Sequence, residues 1–190
     1  MKRKLIGLVA AVAASLVMAT GASAESAEPK YGGTLKYASH NTTSTPGYTP
    51  DNSNNASLIF LNTAYESLTY YDESGAIIPR LATEWTTDPE EPSITWTLRE
   101  GVQFADGTDF NAEAVKVNIE EYQKCSRNET ANVASVEVID DYTVKMILNS
   151  WNSSTLESVG FFVYYMSPAA LEDVDSLRNS SCGTGAFQVS

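Results

Sequence analysis

Ser93-Ile94-Thr95-Trp96-Thr97-Leu98-Arg99 is the stretch on which the fold is read, because it alternates strictly. Successive strand residues point to opposite faces, so Ile94, Trp96 and Leu98 share one face while Ser93, Thr95, Thr97 and Arg99 share the other. Asp88 to Pro92 forms the turn before this strand, and Gly101 to Thr108 is a short extended piece with a turn after it. Asn111 is then placed to cap a helix carrying Val115, Ile119 and Tyr122 along one stripe. Glu113 in its first turn suits the positive end of the helix dipole. Val133 to Ile139 and Tyr142 to Leu148 read as two strands of a hairpin closed by Asp140-Asp141.

Toward the N-terminus, Tyr70 to Gly75 is a turn between extended runs, and Ile77 to Ala82 leads into a strand around Glu84 to Thr86. A helix is expected over Ala56 to Leu68, capped by Asn54 or Asn55, with Leu58, Leu61, Ala64, Tyr65 and Leu68 as its core face. Before it lie a short strand, Thr34 to Ala38, and a long polar loop, His40 to Asn55; loops of that length inside a domain are more often functional than accidental. Toward the C-terminus, a helix or loop after Trp151 reaches the apolar run Phe161 to Met166, and Ser167-Pro168 starts a short helix through Leu171 and Val174. Ser181 to Ser190 reads as a glycine turn entering a strand; the sequence ends inside it, so either the protein is cut short here or more chain is expected. Strands and helices in mixed order point to an α/β or α+β architecture.

The chain opens Met-Lys-Arg-Lys, continues apolar from Leu5 to about Ala19 and reaches Ala22-Ser23-Ala24, the layout of a secretory signal peptide cleaved after Ala24. The apolar run is about 15 residues where a membrane span needs about 20, and no cysteine near the cut offers a lipid attachment point. Loss of Lys2, Arg3 and Lys4 takes the formal net charge from −12 to −15. So acidic a surface disfavours nucleic acid and anionic membranes as partners. Cys125 and Cys182 would enter an oxidising compartment and are a possible disulfide, but their spacing matches no zinc pattern.

Catalytic chemistry finds little footing. The single histidine, His40, has no framed nucleophile, and Gly-x-Ser-x-Gly, His-Glu-x-x-His and phosphate-loop patterns do not occur. Glu90-Glu91 and Glu120-Glu121 are sequence neighbours and so do not share a face; they read as solvated charge. Gly183-Thr184-Gly185 opens a strand where a phosphate loop must open a helix.

Several segments, in order, resemble the extracellular solute-binding proteins of the peptide and nickel family, family 5. They are Tyr31 to Leu35; Tyr65-Glu66-Ser67-Leu68 with Tyr71-Asp72 and Gly75; Ile78 to Trp85; and Trp96 to Phe104 with Asp106-Gly107-Thr108 and Asn111 to Val115. Asp140 to Val144 and Gly183-Thr184-Gly185-Ala186-Phe187 complete the series. Ala105 stands where the family usually has a histidine, and Ala186-Phe187 where it usually has Pro-Tyr or Pro-Phe.

The resemblance implies a periplasmic-binding-protein-like fold of type II, α/β with mixed sheets, in which two lobes close on a ligand by a hinge. It divides the chain into a signal peptide (1–24), the start of lobe I (25–54), an inserted subdomain (55–178) and a return strand (179–190), with the second lobe absent. It further implies a monomeric, non-enzymatic, cofactor-free periplasmic component of an ABC importer that hands a peptide or other small solute to permease transmembrane subunits. The cleft residues it points to are Ser39, His40, Asn41, Thr42 and Thr43 after the first strand, and Gly183, Thr184 and Gly185 at the closing turn. The alternatives are a secreted hydrolase with its catalytic residues elsewhere, and a relative binding nickel or haem.

Overall fold

The computed structural model describes residues 45–52 and 58–189, with residues 58–60 as backbone alone. The expected signal peptide, the strand Thr34 to Ala38, the helix cap at Asn54 or Asn55, and the cleft residues Ser39, His40, Asn41, Thr42 and Thr43 lie outside them.

The alternating stretch forms β4 (Ser93–Leu98), a central strand of a four-stranded antiparallel sheet. Its neighbours are β3 (Ala82–Asp88) and β6 (Thr143–Leu148), and β5 (Val133–Asp140) closes the order β3-β4-β6-β5. Trp96 stands opposite Trp85 on one side and Val144 on the other, and Ile94 opposite Met146, so one face of the sheet is a continuous apolar surface. Ile94, Trp96, Leu98, Val144, Met146 and Leu148 are all buried there. The pairing of β4 with β6 runs without a fault, whereas β3 slips register between Ala82 and Glu84, and β5 slips twice, at Val133/Ser135 and Val138/Asp140.

Helix α2 (Ala112–Lys124) buries Val115, Ile119 and Tyr122 in the same core, and the Asn111 side chain accepts the Ala114 amide at 2.9 Å as its cap. Asn118 is fully buried yet satisfied: its amide donates to the Met166 carbonyl at 2.8 Å and its carbonyl accepts the Met166 N–H at 2.9 Å, pinning the apolar run 161–166 to the helix. A second hairpin, β1 (Thr69–Tyr71) with β2 (Ile77–Pro79), forms a separate two-stranded sheet turned by Asp72 to Gly75. Asp72 accepts the Ser74 and Ala76 amides in that turn, and Gly75 takes a φ of 82° that a side chain would resist. Helix α3 (Ser153–Phe161) fills the place left open between helix and loop after Trp151, and α4 (Val174–Leu177) follows a turn of 3-10 helix over Ala170–Asp173, which begins after the Ser167-Pro168 start expected from sequence. Gly160 of α3 lies so close to Trp96 that an added Cβ would stand 3.1 Å from the indole.

Two expectations are corrected. Helix α1 is described over Leu58–Ala64 and ends before Leu68, because the Ser67 and Leu68 carbonyls instead accept the amides of Leu81, Arg80 and Ala82. Tyr65 and Leu68 are core residues all the same. The closing segment 181–189 is not laddered into a strand among the described residues. Gly185 N and Phe187 N donate to Ala64 O and Thr63 O at 3.1 Å each, carbonyls in the last turn of α1 that have no partner within the helix. Both sheets among the described residues are antiparallel.

No described helix is long and apolar enough to cross a membrane.

Candidate functional site

Three elements meet where α1 ends. Arg80 follows β2 and is held by its own amide, which donates to Leu68 O at 3.0 Å. Its Nε donates to Glu66 Oε1 at 3.1 Å and its Nη1 to Asn62 Oδ1 at 3.0 Å, while the face of the guanidinium lies 5.1 Å from the centre of the Tyr70 ring. Thr184 in the closing segment donates its hydroxyl to Glu66 Oε2 at 2.9 Å. Glu66 therefore ties Arg80 and the closing segment together just beyond the end of α1, with both carboxylate oxygens occupied. The Arg80 and Glu66 side chains are 21% and 25% exposed, buried enough to be fixed and open enough to be reached.

Beside this network lies an open pocket of about 410 Å³, walled by Asn62 and Thr63 of α1, by Glu66 just beyond it, by Arg80, and by Thr184 to Phe187. Phe187 is 66% exposed, the largest exposed apolar side chain on that wall. The pocket offers a fixed cation, neighbouring hydrogen-bonding groups and an apolar wall, a combination suited to orienting a small polar solute.

Of the residues singled out by sequence, Gly183, Thr184 and Gly185 are brought to this place, but with different roles. A Cβ on Gly185 would fall 2.5 Å from the Ala64 carbonyl carbon, and one on Gly183 would meet the Ala64 carbonyl oxygen and the Tyr65 ring. These two glycines admit the segment against α1. Thr184 and Gly185 contribute to the pocket wall. Asn62, Glu66, Arg80 and Phe187 were not singled out as cleft residues. Glu66 and Arg80 stood within quoted family segments, yet they are fourteen positions apart and nothing in the sequence says that they touch.

The closing segment has a second anchor. Gly183 O accepts the Ala105 amide at 2.9 Å, so the residue standing in place of the usual histidine still holds the segment through its backbone. Next to it, Asp106 accepts hydroxyl hydrogen bonds from Ser167 and from Thr108, the latter at 2.7 Å. Burial pushes the Asp106 carboxyl upward, but these hydroxyls and the Thr108 amide outweigh it and hold the group down at about 2. Cys182 lies beside Asp106, and burial followed by that carboxylate raises its thiol.

Cys125, at the end of α2, is instead 3.1 Å from the Tyr48 hydroxyl. Both cysteines are free thiols in different surroundings, so the disulfide considered from sequence is not formed here. Among the described residues no three His, Cys, Asp or Glu side chains converge as a metal site.

Residues 76–190 match the family described as bacterial extracellular solute-binding proteins, family 5 Middle. The chain belongs to this family. The glutathione-binding protein GsiB of Escherichia coli K12 is 33% identical to this solute-binding protein over 132 residues, which are 66% of this chain and 26% of GsiB. The chain thus spans about a quarter of the length of the curated relatives it matches. Among solved structures, an ABC transporter substrate-binding protein from Sinorhizobium meliloti is similar at 31% identity and a TM-score of 0.58, over 66% of this chain and 27% of that one. NikA from Brucella suis, in complex with Fe(III)-EDTA, is similar at 29% identity and a TM-score of 0.55, over 60% and 24%. The family, GsiB and the Sinorhizobium meliloti protein are described as binding proteins.

Proposed function

We propose that this chain belongs to the substrate-binding component of an ABC importer, one that captures a peptide or related small solute in the periplasm and delivers it to the permease without catalysis. In this reading residues 1–24 direct export, 25–54 begin lobe I, 55–178 form its inserted subdomain and 179–190 return to it, while a second lobe closes over the ligand. Family membership across residues 76–190 carries the proposal. The fixed Arg80-Glu66-Thr184 network beside an open pocket supports it, because a pocket built at the joint between α1 and a returning segment is where hinge closure can trap a solute. GsiB, the relative named for glutathione, favours a peptide, since glutathione is itself a tripeptide. NikA with its iron chelate favours a metal complex as the second reading.

The test is a thermal-shift screen of the two-lobed protein without its signal peptide, against di- to pentapeptides, glutathione and nickel chelates. A ligand that binds only the folded state raises Tm, by an amount equivalent to about 2.7 kcal/mol at a hundredfold excess over Kd. Stabilisation by a peptide with no product formed is the expected result. Stabilisation by a chelate alone selects the second reading, and turnover of the peptide overturns the binding-only role in favour of a hydrolase.

A further inference from the structure

We infer that Arg80 is a specificity-determining residue, and that the solute bound here carries a carboxylate seated on its guanidinium with an apolar group beside it against Phe187. The inference rests on the reading of the chain as a solute-binding protein and adds the chemistry of the ligand.

An arginine side chain has five N–H donors in a planar fork. Nε is spent on Glu66, one Nη1 proton on Asn62 Oδ1, and Nη2 approaches the Asn62 carbonyl at 3.5 Å, the outer limit of a hydrogen bond. Each terminal nitrogen keeps one further proton for an outside acceptor. The side chain cannot swing away, because the Tyr70 ring lies against its face at 5.1 Å and Glu66 holds its Nε edge at 3.1 Å. A guanidinium fixed on three sides pays little conformational entropy when it binds, which favours recognition over mere surface charge.

Glu66 does not oppose a carboxylate as strongly as its charge suggests. Its two oxygens face Arg80 Nε and the Thr184 hydroxyl, so they are already compensated and turned toward those donors. With Phe187 66% exposed on the same wall, the pocket pairs a cationic fork with an apolar surface, which fits the free C-terminus of a peptide whose last side chain is apolar.

The experiment uses the two-lobed protein and matched pairs of tripeptides, Ala-Ala-Phe and Ala-Ala-Ala, each as free acid and as C-terminal amide. Titration calorimetry is expected to show the acids bound about ten- to a hundredfold more tightly than the amides, the worth of one charge-assisted hydrogen-bonded pair. Arg80→Gln is expected to erase that difference, bringing the affinity of each acid to that of its amide. Phe187→Ala is expected to erase any preference for Phe over Ala while keeping the acid preference. Should Arg80→Gln fail to fold, Arg80→Lys keeps the charge without the fork and is expected to lose the acid preference in part. Equal binding of acid and amide by the native protein, or an acid preference that survives Arg80→Gln, overturns the assignment while leaving solute binding intact. If none of the four peptides binds, the carboxylate assignment fails together with the peptide reading.

Discussion

Asp106 shows how one side chain can hold a segment and also report on pH. Its carboxylate accepts from Ser167 and Thr108, and its folded value of about 2 lies below the ordinary 3.8, so folding is favoured when the group is ionised. The contribution is fully present above 3.8 and is lost as pH falls through about 2. Asp106→Asn is expected to cost about 1 kcal/mol at pH 7, a modest figure because the side chain is partly solvated. Melting curves of variant and parent at pH 7 and pH 3 check this: the difference in Tm should shrink at the lower pH. A constant difference would assign the effect to packing. At this scale the sequence was least informative, since Asp106 and Ser167 are 61 positions apart and no local pattern joins them.

At the scale of elements the sequence spoke most clearly where periodicity and capping agreed. Alternation in Ser93 to Arg99 became β4, and the Asn111 cap and its apolar stripe became α2. The two-residue connection at Asp140-Asp141 became the β5-β6 hairpin. It misled where a long-range partner overrode local preference. The Tyr65 to Leu68 end of the expected helix gave its carbonyls to the amides of Arg80, Leu81 and Ala82, and the expected closing strand was captured by the last turn of α1. Only Thr184 and Gly185 of the pocket wall were legible beforehand, because the other walls come from residues with no local pattern joining them. The docking of this segment depends on space, so Gly185→Ala is expected to cost about 2 kcal/mol by overpacking against the Ala64 backbone. Urea unfolding measures the loss, and hydrogen exchange should show faster opening at Gly185 and Phe187, whose amides bond to α1.

Across the whole described body, Trp96 is the common point of the packing. It is fully buried, faces Trp85 at a ring distance of 5.8 Å, and stands against Gly160 of α3. Trp96→Ala is expected to cost about 4 kcal/mol through the cavity it leaves. Trp96→Phe is expected to cost clearly less, because it also removes an indole N–H that is buried without a partner. Chemical denaturation of both variants tests the order, and equal losses would show that the indole N–H is satisfied in solution.

The register slips of the four-stranded sheet all fall on pairings of its outer strands, and the β4-β6 pairing has none. An even strand border is a template on which any extended chain, including another copy of this one, can lay itself down. Each bulge twists that border and spoils the spacing of its donors and acceptors, and Glu84, Asp88, Glu137 and Asp140 add negative charge along it. The irregularities that look like flaws in the ladder thus make these two strands poor templates for a further strand.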